Sequence, residues 1–346
     1  MAALVQRQDS GRPALFKEKI SLPQIEPHQS LVKISHAAQN PTDVQSLDRN
    51  AFGDGTVLGC DFVGTVESVG KDVTRVAKGD VIAGLVWGGE YTAKEITVKY
   101  TNVMQARSKD SVRTVNIPSP TNASASSVPL AAATAWLAFF SKDCLNIDRN
   151  HAKQTILIWG GSSSVGLYAI QIAALHNITV IATCSPRTFD LLNDHGATHV
   201  FDYSDPDIVT KIKDVASGLT YVFDTIGNEK SSATASQAIK ESGGSLCTVR
   251  PGKAHCENVA QRVRVTDVLV WTAFLKEHRY GDFHWPAHKE DHELASELFE
   301  KLPGWLESGT IRPNPTRIRK GLDTVVEGFQ EYRDGHISAY KIVYEV

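Results

Sequence analysis

Residues 157–173, LIWGGSSSVGLYAIQIA, constrain the fold of this chain more than any other stretch: an apolar run, then glycines and serines, then a helix-forming run with a face of small residues. A buried strand, a tight turn and a helix in that order begin a βαβ unit, whose next strand returns parallel to the first. The rhythm continues through TILIWG, VGLYAIQIAALH, ITVIATC, FDLLNDHG, HVFDY, IVTKIKDVAS, YVFDTIG and GGSLCTV. Such alternation predicts an α/β domain with a parallel sheet and crossover helices. Upstream, SLVKISHAAQ, CDFVGTVESVG, GDVIAGLVW and YTAKEITV are β-branched runs between glycine-rich turns, predicting an antiparallel, barrel-like domain. SPTNASASSVP reads as the loop between the two, with a boundary near Val128. Downstream, HELASELFEKLPGWLESG and TVVEGFQEYRDG read as helices and AYKIVYEV as a strand; their pattern leaves open which domain they join.

A chain of 346 residues, 42% hydrophobic and 22% charged, is large enough for two cores. A net charge of -3 offers no footprint for nucleic acid or an anionic membrane. The opening MAALVQRQDSGRPALFK lacks the apolar core of a secretory signal, and no apolar run reads as long enough to span a bilayer, so a cytoplasmic location is expected. Five cysteines without a CxxC pair suggest neither a disulfide framework nor a zinc knuckle. The sequons at Asn122 and Asn177 are read as chance.

The glycine turn is either a phosphate cradle or merely a tight turn. Gly161 and Gly166 hold the first and third places of the three-glycine fingerprint, and Ser163 holds the middle one. Because the turn begins the first βαβ unit, Ser162, Ser163, Ser164 and Val165 bring N–H and hydroxyl donors to the positive end of a helix, where a pyrophosphate would sit. Some 20 residues onward, where NAD-binding folds place an acid, the chain reads ATCSPR. Ser185 and Arg187 are donors there, and a guanidinium grips phosphate with two bonds, which favours NADPH over NADH. The alternative is a solvated Arg187 near the next helix. Tyr203, closing VFDYSD, either flanks the adenine end or packs.

Taken together, NPTD (residues 40–43), LGCDFVGTVESVG (58–70), VAKGDVIAG, VPLAAATA (128–135), GGSSSVG, ATCSPRTFDLL and GFQEYRDGHISAYKIVY resemble the zinc-free medium-chain dehydrogenase/reductases, and within them the fungal trans-acting enoyl reductases of polyketide biosynthesis. The resemblance implies a discontinuous GroES-like substrate domain, residues 1–128 and 290–346, around a Rossmann NADPH-binding domain, residues 129–289. It implies a reductase that works without zinc. Cys60 stands where zinc-dependent relatives have a histidine, HAAQNPTD and PLAAATA supply no cysteine, and His284, His288 and His292 are separated by Pro286 from any shared helix face.

The activity so implied is NADPH-dependent reduction of an α,β-unsaturated thioester on a carrier-bound polyketide, which needs orientation and donors toward the thioester oxygen rather than a metal or a covalent nucleophile. GGSSSVG is not a serine-hydrolase elbow. Thr134, Asn40 and Gln45 are the expected catalytic donors, Thr134 having the alternative of bonding to its own helix. Pro41, Thr42, Thr134, Ile226 and Lys341 join the glycine turn, Ser185, Arg187 and Tyr203 as expected cofactor contacts, and Asp43 is read as a turn brace. The partners implied are a carrier-bound acyl chain and a polyketide synthase or its hybrid with a peptide synthetase, with the reductase itself a monomer in preference to the dimer that quinone-reductase relatives often form through the Rossmann sheet edge. Three departures stand out: NPTDVQ where the family commonly has NPTDWK, Asn193 in place of a lysine, and a basic stretch around Lys94, Lys99, Arg107, Lys109 and Arg113, read as a loop or a carrier contact. They keep two other readings open, a zinc-free quinone or enone reductase and a non-redox cyclase or auxiliary protein on the same fold. Trp271 and Phe274 are read first as core.

Overall fold

The computed structural model describes residues 2–22, 24–86, 121–151, 153–280 and 283–346. The chain divides into two units, Met1–Leu130 with Trp271–Val346, and Ala131–Val270. In the first, β1 (Ala2–Asp9) and β2 (Arg12–Lys19) form a hairpin. Its two-residue loop, Ser10 and Gly11, has φ of 51° and 81°, the left-handed pair such a loop needs to match strand twist. There follow β3 (Ser30–Ala38), α1 (Pro41–Asp48), β4 (Asp61–Val69), β5 (Val81–Leu85) and α2 (Asn122–Ser126). Helix α3 (Pro129–Phe140) leads into the second unit, which holds β6 (Thr155–Trp159), α4 (Ser164–Leu175), β7 (Thr179–Cys184), α5 (Phe189–Asp194), β8 (His199–Asp202), α6 (Ile208–Val215), β9 (Tyr221–Asp224), α7 (Glu229–Gln237), β10 (Gly244–Thr248) and β11 (Val263–Asp267). The first unit resumes with β12 (His278–Tyr280), β13 (Phe283–Trp285), α8 (Lys289–Glu307), β14 (Thr316–Lys320), α9 (Val325–Arg333) and β15 (Lys341–Glu345).

The main sheet of the first unit runs β14-β15-β3-β4-β5. It departs from the antiparallel expectation at one pairing: β14 and β15 are parallel, because α9 makes a crossover between them. One cluster under this sheet joins Val32, Phe62, Val66, Val76 and Ile82, and another joins Val44 and Leu47 of α1 to Val325, Phe329, Ile342 and Tyr344. The unit resumes at Trp271 rather than at residue 290. The intervening residues bond to the start of α8: Thr272 Oγ1 donates to Asp291 at 2.6 Å, and His292 Nδ1 lies 2.8 Å from the Ala273 carbonyl. Trp271 and Phe274 are buried, their rings stacked.

The second unit is a six-stranded sheet in the order β11-β10-β9-β6-β7-β8, every neighbouring pair parallel. Ile156, Leu157, Ile158, Val180, Ile181, Ala182, Val222 and Phe223 are fully buried, as apolar strands covered on both faces must be. After β8 the chain crosses back to place β9 beside β6, so the strand order reverses between them. In open parallel sheets that reversal makes a crevice at the carboxyl ends of the strands.

One sequence expectation is corrected. The helical stretch Asn122–Phe140, 19 residues containing an 18-residue run of mean hydropathy 1.4, is long and apolar enough to cross a membrane, but 94% of that run is buried inside the protein. The serines of α2 disguise the run, and the helix breaks at Ser127 and Val128 before Pro129. The strand expected at YTAKEITV and the basic stretch from Lys94 to Arg113 lie outside the described residues.

Gly166 packs the first turn of α4 onto the end of β6. A Cβ there would stand 2.6 Å from the Gly160 carbonyl oxygen and 2.7 Å from that of Gly161. Gly166→Ala is expected to cost about 1–3 kcal/mol in urea unfolding; an unchanged midpoint would show that the helix can retreat freely.

Candidate functional site

The crevice in the second unit is built from the glycine turn. Gly160 adopts φ of 82°, and its N–H donates to Thr183 Oγ1 at 3.1 Å while the Gly161 N–H donates to the Thr183 carbonyl at 2.8 Å. Ser163, in the middle-glycine place, is the N-cap of α4: its Oγ accepts the Gly166 N–H at 2.9 Å and donates to Thr225 Oγ1 at 2.8 Å. A glycine there would lose both bonds. Thr225 Oγ1 in turn lies 2.9 Å from the carbonyls of Trp159 and Gly160, so β9 braces the turn after β6. Ser162, Ser164 and Val165 are half-buried around the helix start.

Neighbouring strand ends supply the rest. Ser185 and the exposed Arg187 follow β7 on a short turn tied by Thr188, whose hydroxyl donates to the Ser185 carbonyl at 3.0 Å. Tyr203, 52% exposed, follows β8. Asp202 precedes it, and both the N–H and the hydroxyl of Ser204 donate to its carboxylate. Ile226, 38% exposed, follows β9. Its turn hangs on Asp224, fully buried, which accepts the N–H groups of Ile226 and Gly227 and the hydroxyls of Ser231 and Ser232. A helix N-terminus, hydroxyl donors and one exposed guanidinium, with no carboxylate at the Ser185 place, fit an anionic dinucleotide. Thr134 lies in α3 at 7% exposure.

The first unit holds a separate cluster. NPTD begins α1: Asn40 is its N-cap, Pro41 its first residue, Thr42 is half-buried, and the Asp43 carboxylate accepts the Asn40 N–H at 2.7 Å. GCDF begins β4, and the two motifs are bonded together. Cys60 Sγ donates to Asp43 at 3.2 Å, and Asn40 Nδ2 donates to Asp61 at 3.0 Å. Asp61 also accepts Lys341 Nζ at 2.7 Å and the Leu130 N–H at 2.8 Å, and Lys341 reaches the Ser127 carbonyl at 3.3 Å. Thus Asn40 and Lys341, expected at the reaction and the cofactor, are almost wholly buried on Asp61. Gln45, the third expected donor, donates to the Tyr332 hydroxyl of α9 at 2.8 Å, and Val44 is fully buried core. Burial pushes the Asp43 carboxyl up to about 7, with the Asp61 charge adding to the effect; the Asn40 N–H, the Cys60 thiol and Lys341 oppose it.

A catalytic zinc does not fit these residues. The Cys60 thiol is committed to Asp43, and among the described residues no three His, Cys, Asp or Glu side chains are grouped to hold a metal. His284 lies 2.8 Å from Glu277, His288 caps α8 by accepting the Asp291 N–H, and His292 is held at Ala273, so the three histidines have separate partners. Reading the sequence alone missed Asp61, Asp224 and Thr225. The available signals were GCDF after a loop and an Asp-Thr pair closing a strand.

Because the folded Asp43 binds its proton more tightly than the unfolded chain does, its contribution to stability is complete below about pH 4 and is lost as pH rises through about 7, a decline of up to about 4 kcal/mol. Unfolding free energies measured from pH 4 to 8 are expected to show this decline, and Asp43→Asn to flatten it; equal slopes would remove Asp43 as its cause. Gln45→Ala and Tyr332→Phe are each expected to cost about 1 kcal/mol and the double variant scarcely more. Strictly additive losses in the cycle would show that the bond contributes nothing.

Residues 26–108 match the alcohol dehydrogenase GroES-like domain, and residues 164–266 the family described as zinc-binding dehydrogenase. The chain is 32% identical over 341 residues to the trans-enoyl reductase ACTTS2 of Alternaria alternata, covering 95% of each protein. It is also 32% identical to the trans-enoyl reductase TwmE of Talaromyces wortmannii, covering 93% of this chain and 92% of the relative. The crystal structure of an alcohol dehydrogenase superfamily protein from Novosphingobium aromaticivorans shares the fold, with a TM-score of 0.79 at 22% identity over 100% of this chain and 99% of that one. With its GroES-like domain, its parallel dinucleotide-type sheet and these relatives over nearly its whole length, the chain belongs to the fungal trans-enoyl reductases of the medium-chain dehydrogenase/reductase superfamily.

Proposed function

We propose that the protein reduces the α,β double bond of an unsaturated acyl thioester carried by a polyketide synthase, with NADPH as reductant. The chemistry is supported by the trans-enoyl reductases it resembles, and a nicotinamide cofactor by the superfamily. The choice of NADPH is carried by one observation: after β7 the chain presents Ser185 and an exposed Arg187, with no carboxylate at the Ser185 place.

When bound, the reduced nicotinamide supplies a hydride. The chain's own groups bind and orient. The start of α4, fixed by Ser163 and Thr225, would hold the pyrophosphate with N–H and hydroxyl donors. Arg187 and Ser185 would hold the ribose 2′-phosphate, which a carboxylate in the same place would repel. The exposed Ile226 offers an apolar wall, and the Thr134 hydroxyl is the donor we assign to the thioester oxygen as negative charge gathers there. Gln45 and Val44, which departed from the family pattern, have structural partners in Tyr332 and the core, so their substitution is no argument for a lost reaction. The protein acts in the cytoplasm with a synthase-bound chain as its partner.

The test is nucleotide oxidation with an enoyl-pantetheine thioester and, separately, a quinone. Wild type is expected to turn over the thioester with NADPH, and Arg187→Ala to raise the KM for NADPH about 10- to 100-fold with little change for NADH. Equal effects on the two nucleotides would refute the assignment of Arg187, and turnover of the quinone alone would refute the thioester.

A further inference from the structure

We propose that Arg250 is a positioning residue for the nicotinamide cofactor, acting through the turn that follows β9; this rests on the nicotinamide reading above. Arg250 follows β10. Its Nε donates to the Gly227 carbonyl at 2.9 Å, and its terminal nitrogen donates to the Ile226 carbonyl at 3.2 Å. From the other side, Asp224 accepts the N–H groups of the same two residues, each at 3.0 Å. Residues 226 and 227 are therefore pinned by both faces of their peptide units, donors on a buried carboxylate and acceptors on a guanidinium.

The pinning bears on the cofactor crevice because of where the turn lies. Thr225 is bonded to the glycine turn, and Ile226 lies so close to Gly160 that a Cβ on that glycine would meet its side chain at 2.6 Å. Ile226 is nevertheless 38% exposed. An apolar side chain held over a phosphate turn, with its backbone fixed on both sides, is a preformed wall rather than part of the core. The stem of Arg250 lies flush on Gly227, whose φ is 64°; a Cβ there would stand 2.5 Å from Arg250 Cγ. The planar fork spans two successive carbonyls, which the single ammonium of lysine does not.

Cofactor affinity of the full chain, read from protein fluorescence on titration with NADPH, and apo-protein melting temperature separate the possibilities. Arg250→Ala is expected to raise the NADPH Kd about tenfold. Arg250→Lys should recover little of that loss, and both variants should melt within about 3 °C of wild type. In steady state the KM for NADPH should rise more than kcat falls. A Kd within twofold of wild type in Arg250→Ala, or full recovery by lysine, overturns the proposal. A large drop in melting temperature with unchanged Kd does so as well, by showing a purely structural role. Wild type that binds neither NADPH nor NADH would instead overturn the cofactor reading itself, and this proposal with it.

Discussion

The Asp61 carboxylate is the constraint on which the first unit depends. It is buried, and four groups from distant parts of the chain meet around it: the Asn40 amide, the Lys341 ammonium, the Leu130 N–H and, through Lys341, the Ser127 carbonyl. A buried charge is tolerable only when its partners are all in place. The start of α1, strand β15 and the backbone at Leu130 are therefore held in one arrangement by a single side chain. NPTD and GCDF are paired for the same reason, each motif supplying the other's hydrogen-bond partners.

In the second unit the glycine turn after β6 is fastened by neutral groups instead. Its glycine turn uses glycine only where the backbone needs left-handed φ or a neighbour stands too close, at Gly160, Gly161 and Gly166. Elsewhere hydroxyls fasten it: Thr183 from β7, Thr225 just after β9, and Ser163 within the turn. A threonine or serine oxygen both donates and accepts, so this chain of bonds carries no charge to compete with a bound phosphate.

What the sequence made legible was local. The strand-turn-helix of residues 157–173, the alternation that follows it and the helix ending near Gly309 depend on near neighbours, and they lie where the pattern puts them. The hairpin of β1 and β2 was equally local, announced by Ser10 and Gly11 between two runs, and it went unread. The uses of Asn40, Gln45 and Lys341 were illegible in principle, because their partners Asp61, Tyr332 and again Asp61 are 21, 287 and 280 residues away. A donor's type is written in the sequence, but the acceptor it meets is set by topology. The return of the chain at Trp271 is another such case, decided by bonds from Thr272 and Ala273 to α8.

The span of 280 residues between Lys341 and Asp61 also orders the assembly of the molecule. The whole of the second unit, Ala131–Val270, lies inside that loop and contains its own sheet and core. A ribosome delivering the chain from its N-terminus completes the second unit while Asp61 still awaits its cation, and β3 still lacks β15 beside it. The part of the sequence made first is thus the part finished last. Until Lys341 arrives, the nascent first unit carries an open strand edge that must stay hydrated or shielded.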